Sequence, residues 1–297
     1  MAKIKKKTAI ELANICLWAY DFDETTEAAR TLFGGKTPLQ TIEVHDNEPT
    51  PTSFAAILEY ERTVVIAFQG TITEFGVDGQ FAFSSLKDWI QNFKVKQVET
   101  NKSGLPGKVH FGFLKQLNLI YEKVKLNIPG GKSKNIVLAG HSQGGAMAIL
   151  ATKRLQLEGY KVKETYTFGA PRSADRRFAT TITTPVFRVE FGHDIVPHVP
   201  PALKHQTLLS DGLSLLGGLI DLPGPLEAFL KLTKKMRENS YQSIGALTYG
   251  SETGDLLTDL DAKQEAAQFK KRKRKLFAAG KSLGAHHRLA NYISMFQ

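Results

Sequence analysis

The sequence predicts an α/β fold: a mainly parallel sheet with helices on both faces. Two observations carry this. Apolar, strand-like runs alternate with amphipathic stretches, and one run ends in a glycine-crowded turn with a serine at its tip. Taken in order, residues 8–20 read as a surface helix, since Ile10, Ala13, Leu17 and Tyr20 recur at helical spacing. The lysines ahead of it (Lys3, Lys5, Lys6 and Lys7) imitate the start of a signal peptide, but Glu11 and Asn14 interrupt the apolar segment that would follow. Strand-like runs fall at Thr63–Phe68, Asn135–Ala139, Thr165–Phe168, Val186–Phe191 and Ala246–Tyr249. Between them, Phe113–Lys125 places Leu114, Leu117, Tyr121 and Val124 on one helical side, and a second helix runs from Gly144 to about Leu157.

Two regions break the alternation. Residues 72–87 are rich in Gly and Phe and lead into the short amphipathic stretch Leu86–Phe93. Residues 202–240 form a longer leucine-rich excursion punctuated by Gly217, Gly218, Pro223, Gly224 and Pro225. Long excursions of this kind serve as lids or binding elements, or are disordered. The expected organisation is one domain over 1–297, with special regions at 72–93, 202–240 and a basic segment at 263–284.

With 297 residues the chain can bury a substantial core, and 42% hydrophobic against 23% charged residues is ordinary for a soluble globular protein. No run of eighteen apolar residues occurs, so no helix is predicted to span a bilayer. The single cysteine, Cys16, excludes an internal disulfide and fits a reducing compartment. With no classical signal peptide recognised, the expected location is cytoplasmic or peripheral to a membrane. Of the net charge of +10, residues 1–7 carry +4 and residues 263–281 carry +7, which leaves the rest at −1. The basic surplus thus reads as two appendages on a nearly neutral body. It suggests contact with an anionic membrane surface; a nucleic-acid arm at Lys270–Lys275 ranks last, because nothing else in the chain reads bases.

The turn is Gly140-His141-Ser142-Gln143-Gly144, the pattern of a nucleophile elbow. A strand there bends sharply into a helix, the serine sits in a strained conformation, and larger residues two positions to either side would collide with neighbouring elements. A serine hydroxyl is a poor nucleophile until a base removes its proton, and the base needs a carboxylate to fix its tautomer. The best acid downstream is Asp194, directly after the run Val186–Phe191 and stiffened by Pro197, Pro200 and Pro201. The later histidines are His198, His205, His286 and His287. His198 lies too close to Asp194 to reach across the site, and a base delivered after the last strand suits His286 or His287. The stretch His287–Tyr292 begins a closing helix, which favours His287.

At this point the chain resembles the class 3 lipases, the α/β-hydrolase family that includes fungal triacylglycerol lipases. The resemblance rests on Val65–Thr71, Asp88-Trp89-Ile90, Val109–Phe113, the elbow, Thr167–Arg172, Asp194–Pro197, and His287 with Tyr292 five positions later; it covers about 8–202 and 241–297. It implies Ser142 as nucleophile, Asp194 as acid and His287 as base, with amides of Thr71 and Gln143 holding the oxyanion. It also implies a lid at 72–93, whose Phe81, Phe83, Trp89 and Phe93 shield an acyl pocket. Gln69 stands where the family has arginine, and Gln143 where leucine is usual. The expected activity is hydrolysis of lipid esters. The alternatives are an esterase or phospholipase acting on other esters, or a lipase-like domain that binds without turnover. No metal or organic cofactor is implied.

Overall fold

Val64, Ile66 and Phe68 of strand β3 (Thr63–Phe68) pack into one apolar cluster, while Val65 and Ala67 between them pack into another. A strand buried on both faces belongs inside a sheet covered by helices on both sides. The computed structural model describes residues 3–20, 36, 38–48, 52–70, 97–99, 104–200, 241–278 and 285–297. Thr71, the lid region 72–93 with Phe81, Phe83, Trp89 and Phe93, and the insertion 202–240 lie outside the described residues.

Among the described residues the central sheet has the order β1-β2-β3-β6-β7-β9-β11-β12. Its inner strands β3, β6 (Asn135–His141), β7 (Lys161–Phe168), β9 (Val186–Phe191) and β11 (Ala246–Gly250) run parallel. Its margins are antiparallel, formed by β1 (Gln40–His45) and β2 (Phe54–Glu59) on one side and β12 (Leu256–Leu260) on the other. The predicted mainly parallel α/β sheet is therefore present, with antiparallel borders. A smaller sheet joins β10 (Tyr241–Gln242), β8 (Ala174–Asp175), β5 (Lys108–His110) and β4 (Gln97–Glu99).

One face carries α2 (Phe111–Leu126) and α3 (Gln143–Leu157), which contribute Phe113, Leu117, Ile120, Met147 and Leu150 to the core. The start of α2 is closed by His110, whose Nδ1 accepts the amides of Gly112 at 3.1 Å and Phe113 at 3.4 Å. The short α4 (Arg176–Ala179) follows β8. The opposite face carries α1 (Lys6–Trp18) and α6 (Leu289–Ser294). Here the surface-helix expectation needs correction. Ala9, Leu12, Ile15, Cys16 and Trp18 are buried, and Leu17 is exposed. The sheet and α6 enclose α1 from two directions, so its buried arc is wider than the Ile10–Tyr20 stripe.

Part of the basic segment is built into the body. Its described part is α5 (Ala262–Ala278), in which Phe269 and Arg272 are buried. Arg272 Nη2 lies 2.9 Å from Glu190 Oε2, Arg188 pairs with the same carboxylate, and Arg188 Nη2 lies 2.8 Å from Glu265 Oε1. Burial alone would raise the Glu190 carboxyl, but the Arg188 and Arg272 guanidiniums hold it far below the usual carboxylate range. Arg272 and Glu265 thus tie this helix to the body by ion pairs, and Phe269 packs against His198 with ring centres 5.0 Å apart, while Lys263, Lys270 and Lys271 stay exposed. Among the described residues no helix is long and apolar enough to cross a membrane.

Candidate active site

The parallel register brings the carboxyl ends of β3, β6, β7 and β9 level: Phe68 pairs with Gly140, His141 with Phe168, and Phe168 with Val189. Ser142 follows β6 at that edge with φ 55° and ψ −129°, the one positive-φ residue other than glycine among those described. The backbone there has no room to relax. A Cβ on Gly140 would sit inside the backbone of Gly144, and one on Gly144 inside the carbonyl of Phe68. The strained turn is held by Ser142 N–H donating to Phe168 O at 2.9 Å and by Gly145 N–H donating to Ser142 O at 3.0 Å. Gln143 opens α3 directly after it, at the helix end where the backbone dipoles favour negative charge.

His287 Nε2 lies 2.9 Å from Ser142 Oγ, and its Nδ1 lies 2.7 Å from Asp194 Oδ2. A carboxylate only accepts, so Nδ1 carries the proton and Nε2 accepts from the serine hydroxyl. Asp194 is fixed from two more directions. The Tyr292 hydroxyl donates to Oδ2 at 2.5 Å, and the Val196 amide donates to Oδ1 at 2.9 Å. Asp194 and His287 are almost fully buried, so these bonds act in a medium that screens them weakly. Gly169, with φ 58°, completes the enclosure, since a Cβ there would lie 2.8 Å from the Tyr292 hydroxyl and 3.1 Å from His287 Cε1.

The neighbouring histidine turns the other way. His286 Nδ1 accepts the His193 amide at 2.7 Å, on the far side of the segment from Ser142. His198 lies beside Glu190 and Phe269, away from the serine. The structure thus brings Ser142, His287 and Asp194 together and leaves His286 and His198 apart from them.

Two participants escaped sequence reasoning. His141, one residue before the serine, stacks on His287 with ring centres 4.6 Å apart. Its Nε2 meets the His287 carbonyl at 2.8 Å, and its Nδ1 meets the Tyr20 hydroxyl at 2.8 Å. The carbonyl requires a proton on Nε2, so Nδ1 accepts from Tyr20 and the ring is neutral. Burial, reinforced by the neighbouring His287, keeps the His141 pKa well below its usual value. Tyr20 is in turn held by Gln69, whose Nε2 donates to its carbonyl at 3.2 Å. The only sequence sign of this pair was the position of His141 inside the elbow motif.

Residues 65–204 match the family model for lipase (class 3). Over 176 residues the chain is 28% identical to a secreted mono- and diacylglycerol lipase of Fusarium solani, covering 57% of this chain and 49% of that one. Over 154 residues it is 31% identical to a lipase of Rhizomucor miehei, covering 48% of this chain and 39% of that one. The match thus spans half or less of these curated relatives. In three dimensions the fold resembles the triacylglyceride lipase of Rhizomucor miehei, with a TM-score of 0.58 at 20% identity over 90% of this chain and 91% of that one. The protein has an α/β-hydrolase fold, and its residues 65–204 are similar to the class 3 lipases. The expectation of a cytoplasmic or membrane-peripheral location is overturned by these relatives, since the Fusarium solani protein is named as secreted.

Proposed function

We propose that the protein is a serine ester hydrolase acting on lipids. The observation that carries this reading is the buried hydrogen-bond relay from Tyr292 and Asp194 through His287 to Ser142. Ser142 attacks the ester carbonyl while His287 takes its proton, and Asp194 steadies the imidazolium that forms. His287 then returns the proton to the leaving alcohol. Water, activated by the same imidazole, releases the acyl group. In this reading the amides of Thr71 and Gln143 hold the oxyanion, and Phe81, Phe83, Trp89 and Phe93 cover the acyl chain.

Lipids are the favoured substrate class because the relatives are named lipases, one for mono- and diacylglycerols and one of solved structure for triacylglycerides. The name of the Fusarium solani relative also supports an extracellular setting. Turnover of triacylglycerol, monoacylglycerol and phospholipid emulsions, measured beside short soluble esters, tests the reading. Labelling by a fluorophosphonate at Ser142 and preference for emulsified esters support it. Preference for short soluble esters redirects it to an esterase. Folded protein that neither labels nor turns over any ester reduces the chain to a binding domain.

A further inference from the structure

The residues immediately before Asp194 and His287 form a second cluster. His193 lies in the turn after β9, His286 in the turn Ala285–His287, and Glu252 in the turn between β11 and β12. Adjacent side chains in these turns project to opposite sides, so the acid and base face Ser142 while His193 and His286 face outward onto Glu252. We infer that His193, Glu252 and His286 form a binding site for a divalent cation of the zinc type, separate from the hydrolytic machinery.

The donor set carries the choice of ion. Two imidazoles and one carboxylate suit zinc and its borderline neighbours far better than calcium or magnesium, which prefer oxygen alone. One ligand atom from each residue lies within 4.8 Å of the other two. Glu252 Oε1 touches His193 Nδ1 and stands 3.7 Å from His286 Nδ1. Ligand atoms around a tetrahedral zinc stand about 3.4 Å apart, so small side-chain rotations close the site. His286 Nδ1 accepts an amide proton, so it already presents the lone pair that ligation requires, and the cation would take the place of that amide.

The scaffold beneath is tied together before any ion arrives. Gly192 N–H donates to Gly250 O at 2.8 Å, Arg272 Nη1 donates to Gly192 O at 3.3 Å, and the Ser251 hydroxyl lies 3.0 Å from the Asp255 carboxylate. A groove of about 480 Å³ opens beside the cluster, lined by His193, Tyr249, Glu252, Asp255 and Lys271, and gives a cation an entry path and room for a coordinating water. Bound there, the ion would cross-link the three turns that follow β9, follow β11 and precede α6.

Titration of the chelator-treated full chain with zinc chloride by calorimetry at pH 7.5 tests the site, independently of any hydrolytic activity. One saturable equivalent per chain is expected, with a rise in melting temperature and a loss of at least about tenfold in affinity in Glu252→Gln and in His193→Gln. Cobalt(II) added to the unaltered protein should give visible d–d bands of four- or five-coordinate metal with nitrogen ligation. Absence of saturable zinc binding up to 1 mM, absence of those bands, or wild-type affinity in the folded His193→Gln/Glu252→Gln protein would each overturn the assignment.

Discussion

Tyr292 and His287 donate to the same oxygen of Asp194, at 2.5 and 2.7 Å. With the Val196 amide on the other oxygen, the carboxylate is satisfied entirely by protein donors. Removing the phenol in Tyr292→Phe leaves the ring packed and the carboxylate one donor short. A hydrogen bond to a charged group contributes about 1.5–3 kcal/mol, so the variant should lose roughly that much stability. Its kcat should fall by about tenfold with KM little changed, because the defect lies in orienting the base. A kcat equal to wild type would show that His287 needs no help from Tyr292.

The two adjacent histidines should separate cleanly. His287→Ala removes the proton acceptor and should lower turnover by about 10³-fold or more, as should Ser142→Ala. His286→Ala, whose ring lies on the opposite side, should only weaken turnover. Parallel ester assays with circular dichroism as a fold check decide it. An inactive, folded His286→Ala protein would contradict the register of the last turn.

The elbow stores strain, and its cost is measurable. Ser142 occupies φ 55°, a region that glycine enters freely. Ser142→Gly should abolish turnover yet raise stability by about 1–2 kcal/mol. Gly144→Ala should do the reverse: the new Cβ meets the Phe68 backbone, which cannot swing aside, and a loss of about 3 kcal/mol or more is expected. Denaturant melts of the two variants test both signs.

Acid should weaken the fold well before carboxylates protonate. Burial pulls the His110 pKa from 6.5 down to about 3. The folded pKa lies below the unfolded one, so the unfolded chain binds the proton first. Stability from this group is therefore full above about pH 6.5 and falls as the pH drops from 6.5 toward 3, by about 2 kcal/mol at pH 5. His141, also depressed by burial, acts in the same direction. Protonation would also destroy the His110 cap on α2. His110→Asn, which can still cap but does not titrate, should flatten the pH dependence of the urea midpoint between pH 7 and 5. An unchanged slope would assign the acid sensitivity to other groups.

The legible parts of the chain were those with local causes. β3 read off directly because a strand buried on both faces is a continuous apolar run, and β9 showed through Val186, Phe187, Val189 and Phe191 in spite of the charged Arg188 and Glu190 between them. β1 shows one buried residue, Val44, and the strands of the small sheet span two or three residues, too little pattern to register. The faces of α2 were visible because it packs on one side alone, whereas α1 is enclosed from two. Ser142, Asp194 and His287 could be singled out from the elbow glycines, a strand end and a closing helix. The Tyr20–His141 contact joins residues 121 apart, and nothing local in either segment announces it. The Glu190 cluster was hidden for the same reason: Arg272 looked like one member of a charge run until β9 was laid beneath it.

The collisions that forbid side chains at Gly140 and Gly144 involve main chain on both sides, so they concern the shape of the turn and not the reaction at its tip. The two glycines and the serine therefore answer to different pressures. In a related chain that does not cleave esters, the hydroxyl is free to drift, and replacement by glycine is even rewarded by relief of strain. The flanking glycines stay fixed, because losing them costs the fold itself. Paired glycines around an altered centre would then be a relic of ancestry, and only the intact serine, histidine and aspartate together would report a working hydrolase.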